Sequence, residues 1–167
     1  MNMLVYIADP SVFFTLRTNA SSFPNLEALC GKRVAASRTS TWPGLIEKWS
    51  QENCTNAGKP AVTVVGTDST PYARLALTQG RVDAAIQGQP ALGYLNKLKG
   101  NPYSVIGPLL PLDYDAIAFS KKDQEFGQAV KQAIAELMAD GTYQRLMEKW
   151  SIPATSAIPH PSINGQP

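Results

Sequence analysis

Apolar residues recur along this chain first in short extended runs and later at helical spacing, and the change of period marks its organisation. Leu4–Ala8 and Ser11–Arg17 read as two extended segments, the second carrying Val12, Phe13, Phe14 and Leu16, with Asp9-Pro10 between them. Asn19–Asn25 is polar and turn-like, and Leu26–Leu29 suits one helical turn before Gly31. A strand over Arg33–Ser37 follows. Trp42 opens a helix with Leu45, Ile46 and Trp49 on one side and Glu47, Lys48 and Glu52 on the other, so one face covers a sheet. Ala61–Gly66 is β-branched and extended. Thr70 as cap, Pro71 as first helical residue and Gly80 as stop bracket a helix over Pro71–Gln79. Ala84–Gln87 reads as a strand, Pro90–Lys99 as a helix ended by Gly100, and Tyr103–Gly107 as another strand. Strand and helix alternate, which predicts an α/β lobe with a mostly parallel sheet and helices on both faces.

Pro108–Asp115 breaks this pattern with two prolines, after which Ala116–Ser120 returns as a strand. Helices are expected over Asp123–Ala139, with Phe126, Val130, Ile134, Leu137 and Met138 on one stripe, and over Thr142–Trp150, with Gly141 between them. The two helices have one nearby strand to cover. The tail 153–167 carries four prolines and reads as an extended wrap or a disordered end. No internal repeat is visible.

Composition narrows the function classes. A hydrophobic content of 44% over 167 residues suffices for a core. The 15 basic and 13 acidic side chains leave a net charge of +2, without basic runs or basic-aromatic interleaving, so nucleic acid is not an expected partner. No apolar run approaches the length that crosses a bilayer, and Met1–Ala8 lacks the charged start and cleavage site of a signal peptide.

Catalytic groups are sparse. The one histidine, His160, lies in the proline-rich tail, away from any triad or metal-ligand spacing, and two cysteines without spaced histidines do not make a zinc site. Asp68, Asp83, Asp113 and Asp115 are not paired by spacing and suit caps, turns or surface positions, and Trp42, Trp49 and Tyr72 suit packing. Cys30 and Cys54 bracket the Arg33–Ser37 strand and the helix after it. That position suggests a bridge, the alternative being two unrelated thiols.

Binding is better supported than catalysis. Val34–Gly44 (VAASRTSTWPG) is a short strand ending in a hydroxyl-rich loop that opens into a helix, with Ser37, Thr39, Ser40 and Thr41 as cap candidates and Pro43 in the first turn. Unpaired amides and the positive end of the helix dipole suit a carboxylate or phosphate at Ser40 and Thr41, with Arg38 close by. The plain alternative is an ordinary helix cap. A second candidate edge, Gln87–Gln89, follows another strand, and in open α/β sheets ligands collect beyond the carboxyl ends of strands.

Five stretches together resemble the solute-binding proteins of family 3, the receptors of amino-acid ABC importers: LCGKRVAAS at Leu29–Ser37, SRTSTW at Ser37–Trp42, LALTQGRVDAAIQG at Leu75–Gly88, DYDAIAFSKKD at Asp113–Asp123 and DGTYQRLMEKW at Asp140–Trp150. They cover nearly the whole chain in the family's order. The resemblance implies a type II periplasmic-binding fold divided into a remnant of lobe 1 with the first hinge strand (1–14), a complete lobe 2 (15–110), the second hinge strand with the C-terminal part of lobe 1 (111–152) and the tail (153–167). It implies an N-terminally truncated member, whose partial lobe has an exposed edge and apolar face that invite a homodimer or strand exchange.

For the site, the resemblance implies that Ser40 and Thr41 bind a ligand carboxylate and that Ser37 and Gln87 line a side-chain pocket. The aspartate that normally receives an ammonium falls at Gly88, so either a carboxylate-bearing solute other than a standard α-amino acid is expected, or the missing lobe compensates. Arg38 suits an additional acidic group, and Asp83 matches a structural residue. The cysteine pair resembles a bridge found in some members. No cofactor, metal or catalytic residue is implied. The partners would be a small carboxylate or amino-acid-like ligand, held between the lobes by hinge closure, and an ABC permease, and the setting periplasmic or extracellular. A lyase of the cyclohexadienyl dehydratase type on the same fold, or a sensory ligand-binding module, is the alternative.

Overall fold

A computed structural model describes residues 1–111 and 113–167, with Leu112 of the proline-bearing stretch outside the described residues. In chain order the elements are β1 (Asn2–Ala8), β2 (Ser11–Leu16), β3 (Arg33–Ser37), α1 (Trp42–Asn53), β4 (Thr63–Thr67), α2 (Thr70–Thr78), β5 (Ala84–Gly88) and α3 (Gln89–Leu98). Then come β6 (Tyr103–Ile106), β7 (Tyr114–Phe119), α4 (Gln124–Ala139), α5 (Thr142–Lys149) and β8 (Ser162–Ile163). Two compact units form, one from Met1–Pro10, Gln89–Lys97 and Leu110–Pro167, the other from Ser11–Gly88 and Leu98–Leu109.

The second unit is built on a five-stranded sheet in the order β4-β3-β5-β2-β6. Val34 lies opposite Val64 on one side and Ala84 on the other, both in parallel register. β2 runs antiparallel to β5 and to β6, with Phe13 opposite Ile86 and Ile106. Four strands therefore share one direction and β2 alone opposes them. The expected mostly parallel sheet is present.

β2 lies inside this sheet, between β5 and β6. Val12, Phe13 and Phe14 are fully buried, and the strand is interior to the sheet. A continuous apolar run buried on both faces is the signature of an interior strand. α1 and α2 cover opposite faces: Trp49 of α1 meets Phe13 edge-to-face at 5.6 Å, whereas Arg74 of α2 bonds Gln87, which lies opposite Val12. Successive residues of a strand point to opposite faces, so the two helices sandwich the sheet.

The segment from β2 to β3 is tied down locally. Residues Arg17–Ser22 and Leu26–Leu29 form short 3-10 turns, the second capped by the Asn25 side chain, which accepts from the Ala28 amide at 3.2 Å. Cys30 and Cys54 are joined by a disulfide, which links the entry to β3 with the exit of α1.

The first unit carries the three-stranded sheet β7-β1-β8, with β1 antiparallel to both neighbours. The tail is the wrap rather than the disordered end: Ile158 joins the core of Val5 and Ala8, and Ser162–Ile163 pairs with Val5 and Leu4. Gln89–Lys97 of α3 belong to this unit. Tyr94 packs edge-to-face on Trp150 at 5.4 Å, and Lys97 Nζ donates to the Lys149 carbonyl at 2.8 Å. Gly93 permits this approach, because a Cβ there would stand 2.5 Å from the Ser151 carbonyl oxygen.

The apolar stripe expected on α4 is covered in part. Gly127 is buried against the Phe119 ring and Met138 packs on the Val5 cluster, while Phe126 remains 55% exposed. A three-stranded sheet is too narrow to bury a helix of 16 residues along its whole stripe.

Candidate functional site

The loop after β3 turns on one serine. Ser40 donates its hydroxyl to the Ser37 carbonyl at 2.7 Å, its amide bonds the same oxygen at 3.2 Å, and its Oγ accepts from the Trp42 amide at 3.3 Å. The strand thus closes into a tight turn and α1 starts at once. Pro43 lies in the first turn, where a missing N–H costs nothing. Thr41 occupies the cap position and its side chain makes no cap hydrogen bond, which leaves that hydroxyl at the mouth of the helix. Nothing lies within 4 Å of where a Cβ on Gly44 would stand, so the first turn is open to approach.

Trp42 joins this loop to the second candidate edge. Its indole Nε1 donates to Ser11 Oγ at 2.8 Å, and Ser11 lies opposite Gly88 in the β2-β5 ladder. The Ser37–Thr41 loop and the Gly88 end of β5 are therefore held on one end of one sheet. Sequence reasoning assigned Trp42 to packing. Its position immediately before the helix proline was the only signal for this linking role.

Ser37 is buried, and its Oγ lies 3.1 Å from Thr39 Oγ1 within the loop. Gln87 is 1% exposed, and its Oε1 accepts from Arg74 Nη1 at 2.9 Å. Its Nε2 is buried with no hydrogen-bond partner among the described residues. Burial lowers the pKa of the Arg74 guanidinium from its ordinary value, and Tyr103 opposes that effect. Gln87 supports the sheet face beneath α2.

The Arg38 side chain lies over the neighbouring strand β4. Its Nη2 donates to the Gly66 carbonyl at 3.0 Å and its Nη1 pairs with Asp68 at 3.2 Å. Gly66 lies on β4, the sheet's outer strand, and the absence of a side chain there lets Arg38 lie against it. The guanidinium blocks a strand edge, a common use of exposed charge.

Ionisable groups also gather in the first unit. The Asp9 amide donates to the Asp113 carbonyl at 2.8 Å, and Asp9 Oδ1 is buried without a hydrogen-bond partner among the described residues. Burial, then Asp115 and Asp113, push the Asp9 carboxyl up to about 6. Burial and Asp113 raise Asp115 as well. Among the described residues no group of His, Cys, Asp and Glu is arranged to hold a metal ion, and no helix is long and apolar enough to cross a membrane.

Comparison with known proteins agrees with this architecture. The chain is 31% identical over 153 residues to the histidine-binding periplasmic protein of Escherichia coli, a match that covers 87% of this chain and 55% of that protein. It is 29% identical over 136 residues to an L-cystine-binding protein of Bacillus subtilis, covering 81% of this chain and 49% of the relative. The chain thus spans about half the length of the curated relatives it matches. A crystal structure from Bacillus subtilis, described as a "probable amino-acid ABC transporter extracellular-binding protein", superposes with a TM-score of 0.71 at 27% identity, covering 87% of this chain and 61% of that one. The fold is that of the type II periplasmic-binding proteins. Residues 5–153 match the family model of the bacterial extracellular solute-binding proteins, family 3, and this chain belongs to that family.

Proposed function

We propose that the chain is the solute-recognising part of an amino-acid-type ABC import system, acting outside the cytoplasm with a permease as its partner and binding a small carboxylate-bearing solute. The observation that carries this reading is the Ser37–Thr41 loop, which closes on Ser40 and leaves the Thr41 hydroxyl at the mouth of α1. A carboxylate placed there gains hydrogen bonds and the positive end of the helix dipole. The named relatives support it, since one is a histidine-binding periplasmic protein and the other an L-cystine-binding protein. The work is therefore non-covalent capture, and the lyase alternative has no catalytic candidate in the loop.

Gly88 shapes the choice of solute. It offers no carboxylate on the end of β5, so an α-ammonium near it would lose water without gaining a charge partner, which is costly. Solutes without an α-ammonium, or with one held elsewhere, are favoured. Ser40, Thr41 and Ser37 make up the proposed contact set, with Gln87 acting behind it and Arg38 outside it. Self-association through the first unit belongs to the same reading.

A thermal-shift screen against histidine, cystine, arginine and small dicarboxylates tests this proposal. A true ligand at about 100 times its dissociation constant adds roughly 2.7 kcal/mol of stability. A selective shift that Thr41→Val weakens is the expected result. Cooperative melting with no shift from any compound would remove the binding reading for this chain.

A further inference from the structure

Trp42 immediately follows Thr41, and its ring is fixed at one edge. The indole Nε1 donates to Ser11 Oγ at 2.8 Å, and Ser11 is directly opposite Gly88 in the β2-β5 ladder. Directly opposite residues share a face of the sheet, so a side chain at position 88 would rise beside the indole. Glycine there leaves that space to the ring. Ser11 and Phe13 lie on one face as well, because alternate residues of a strand do. Phe13 meets Trp49 edge-to-face, so both tryptophans of α1 serve the same side of the sheet.

The oxygens of the loop around this ring are engaged with one another. The Ser37 carbonyl accepts from both the hydroxyl and the amide of Ser40, and Ser40 Oγ accepts from the Trp42 amide. The hydroxyls of Ser37 and Thr39 bond each other, and Asp68, just past β4, is paired with Arg38. A primary ammonium placed beside the indole would shed water without gaining a carboxylate partner from this loop, which is costly. A fully methylated ammonium has no N–H to satisfy. The face of an indole attracts such a cation.

We propose that Trp42 is the specificity-determining residue of this site and that the solute is a betaine, a small carboxylate whose α-nitrogen is fully methylated. Its carboxylate takes the Thr41 hydroxyl and the start of α1, and its trimethylammonium group lies on the indole beside Gly88. The bond to Ser11 holds the ring in place, which makes Ser11 a positioning residue. The inference rests on the carboxylate site proposed above and adds the chemistry of the solute's other end.

Titration calorimetry of the chain with glycine, N-methylglycine, dimethylglycine and trimethylglycine reads the preference. Affinity is expected to rise with each methyl group, trimethylglycine binding about tenfold more tightly than glycine. The isostere tert-butylacetate has the same shape without the positive charge and is expected to bind about tenfold more weakly than trimethylglycine. In the unaltered chain the methyl protons of bound trimethylglycine are expected to shift upfield in the NMR spectrum, because they lie over a ring. Trp42→Leu is expected to remove the advantage of trimethylglycine over tert-butylacetate, Ser11→Ala to narrow it and Ser11→Thr to retain it, whereas Thr41→Val weakens both ligands alike. Glycine binding best, equal affinity for trimethylglycine and its isostere, or no upfield shift overturns the proposal. If histidine or a dicarboxylate then still binds, the carboxylate site stands without it. No binding by any of these carboxylates overturns both.

Discussion

Asp83 accepts three hydrogen bonds from Arg33. Its Oδ2 takes the Arg33 amide at 2.8 Å and Nε at 3.2 Å, and its Oδ1 takes Nη2 at 3.2 Å. The Asp83 amide returns a bond to the Arg33 carbonyl at 2.9 Å. The starts of β3 and β5 are thereby locked in register, so that both strands finish together at the Ser37–Thr41 loop and Gly88.

These bonds hold the Asp83 carboxyl below its usual range, the side-chain bond from Arg33 being the main cause. A lowered folded pKa adds stability above the unfolded value of about 3.9, and that stability disappears as pH falls through the folded value. Asp83→Asn is expected to cost about 1 kcal/mol at neutral pH, allowing for the partly exposed arginine. Urea unfolding of both proteins at pH 7 and near pH 3 measures this, and the two curves should converge at the acidic end.

Asp9 has the opposite sign. Its folded pKa is raised to about 6, chiefly by burial, so the folded protein binds a proton more readily than the unfolded chain. Between about pH 4 and pH 6 that proton favours folding, and its contribution fades as pH rises through the folded value. At pH 7 the charged form is a penalty, and Asp9→Asn should raise stability by about 1 kcal/mol after allowance for solvent screening. Below about pH 4, where Asp9 is neutral in both states, the gain should vanish. Melting curves across this range decide it.

Cys30–Cys54 closes a loop with a sequence separation of 24. On the chain-entropy model such a loop contributes about 3.5 kcal/mol by restricting the unfolded chain. Chemical unfolding with and without reductant should show a loss of that order, and Cys30→Ala with Cys54→Ala should reproduce it without reductant. Near-equal stability of the two forms would contradict this account.

Arg38→Ala separates the edge-blocking role from a ligand role. Exposed ion pairs such as Arg38–Asp68 contribute little, so stability should change by about 0.5 kcal/mol or less. Affinity for a solute that shifts the melting temperature should stay within about twofold by calorimetry. A tenfold loss would return Arg38 to the binding site.

Much of this architecture was legible in the residues. Val34–Ser37 followed by Pro43, and Ala84–Gly88 preceded by Gly80, carry local signals of strand, cap and turn that each element satisfies by itself. The hydroxyl loop was readable for the same reason, since Ser40 bonds residues three before and two after it. The partners of Gln87 and Arg38 were not legible, because alternation along a strand gives a face, but not what covers that face. The neighbours that decide them, Arg74 and Gly66, are 13 and 28 residues away.

The sequence by itself determined the order of elements, the family pattern and the hydroxyl loop, all of which depend on residues within a few positions of one another. Tertiary structure alone decided that β2 lies inside its sheet, that α3 joins the first unit, and that Ser162–Ile163 pairs with Leu4 and Val5 across nearly the whole chain. Strand pairing at that separation leaves no local periodicity to read. It is selected by which distant apolar faces and unpaired backbone groups satisfy one another once the chain is compact.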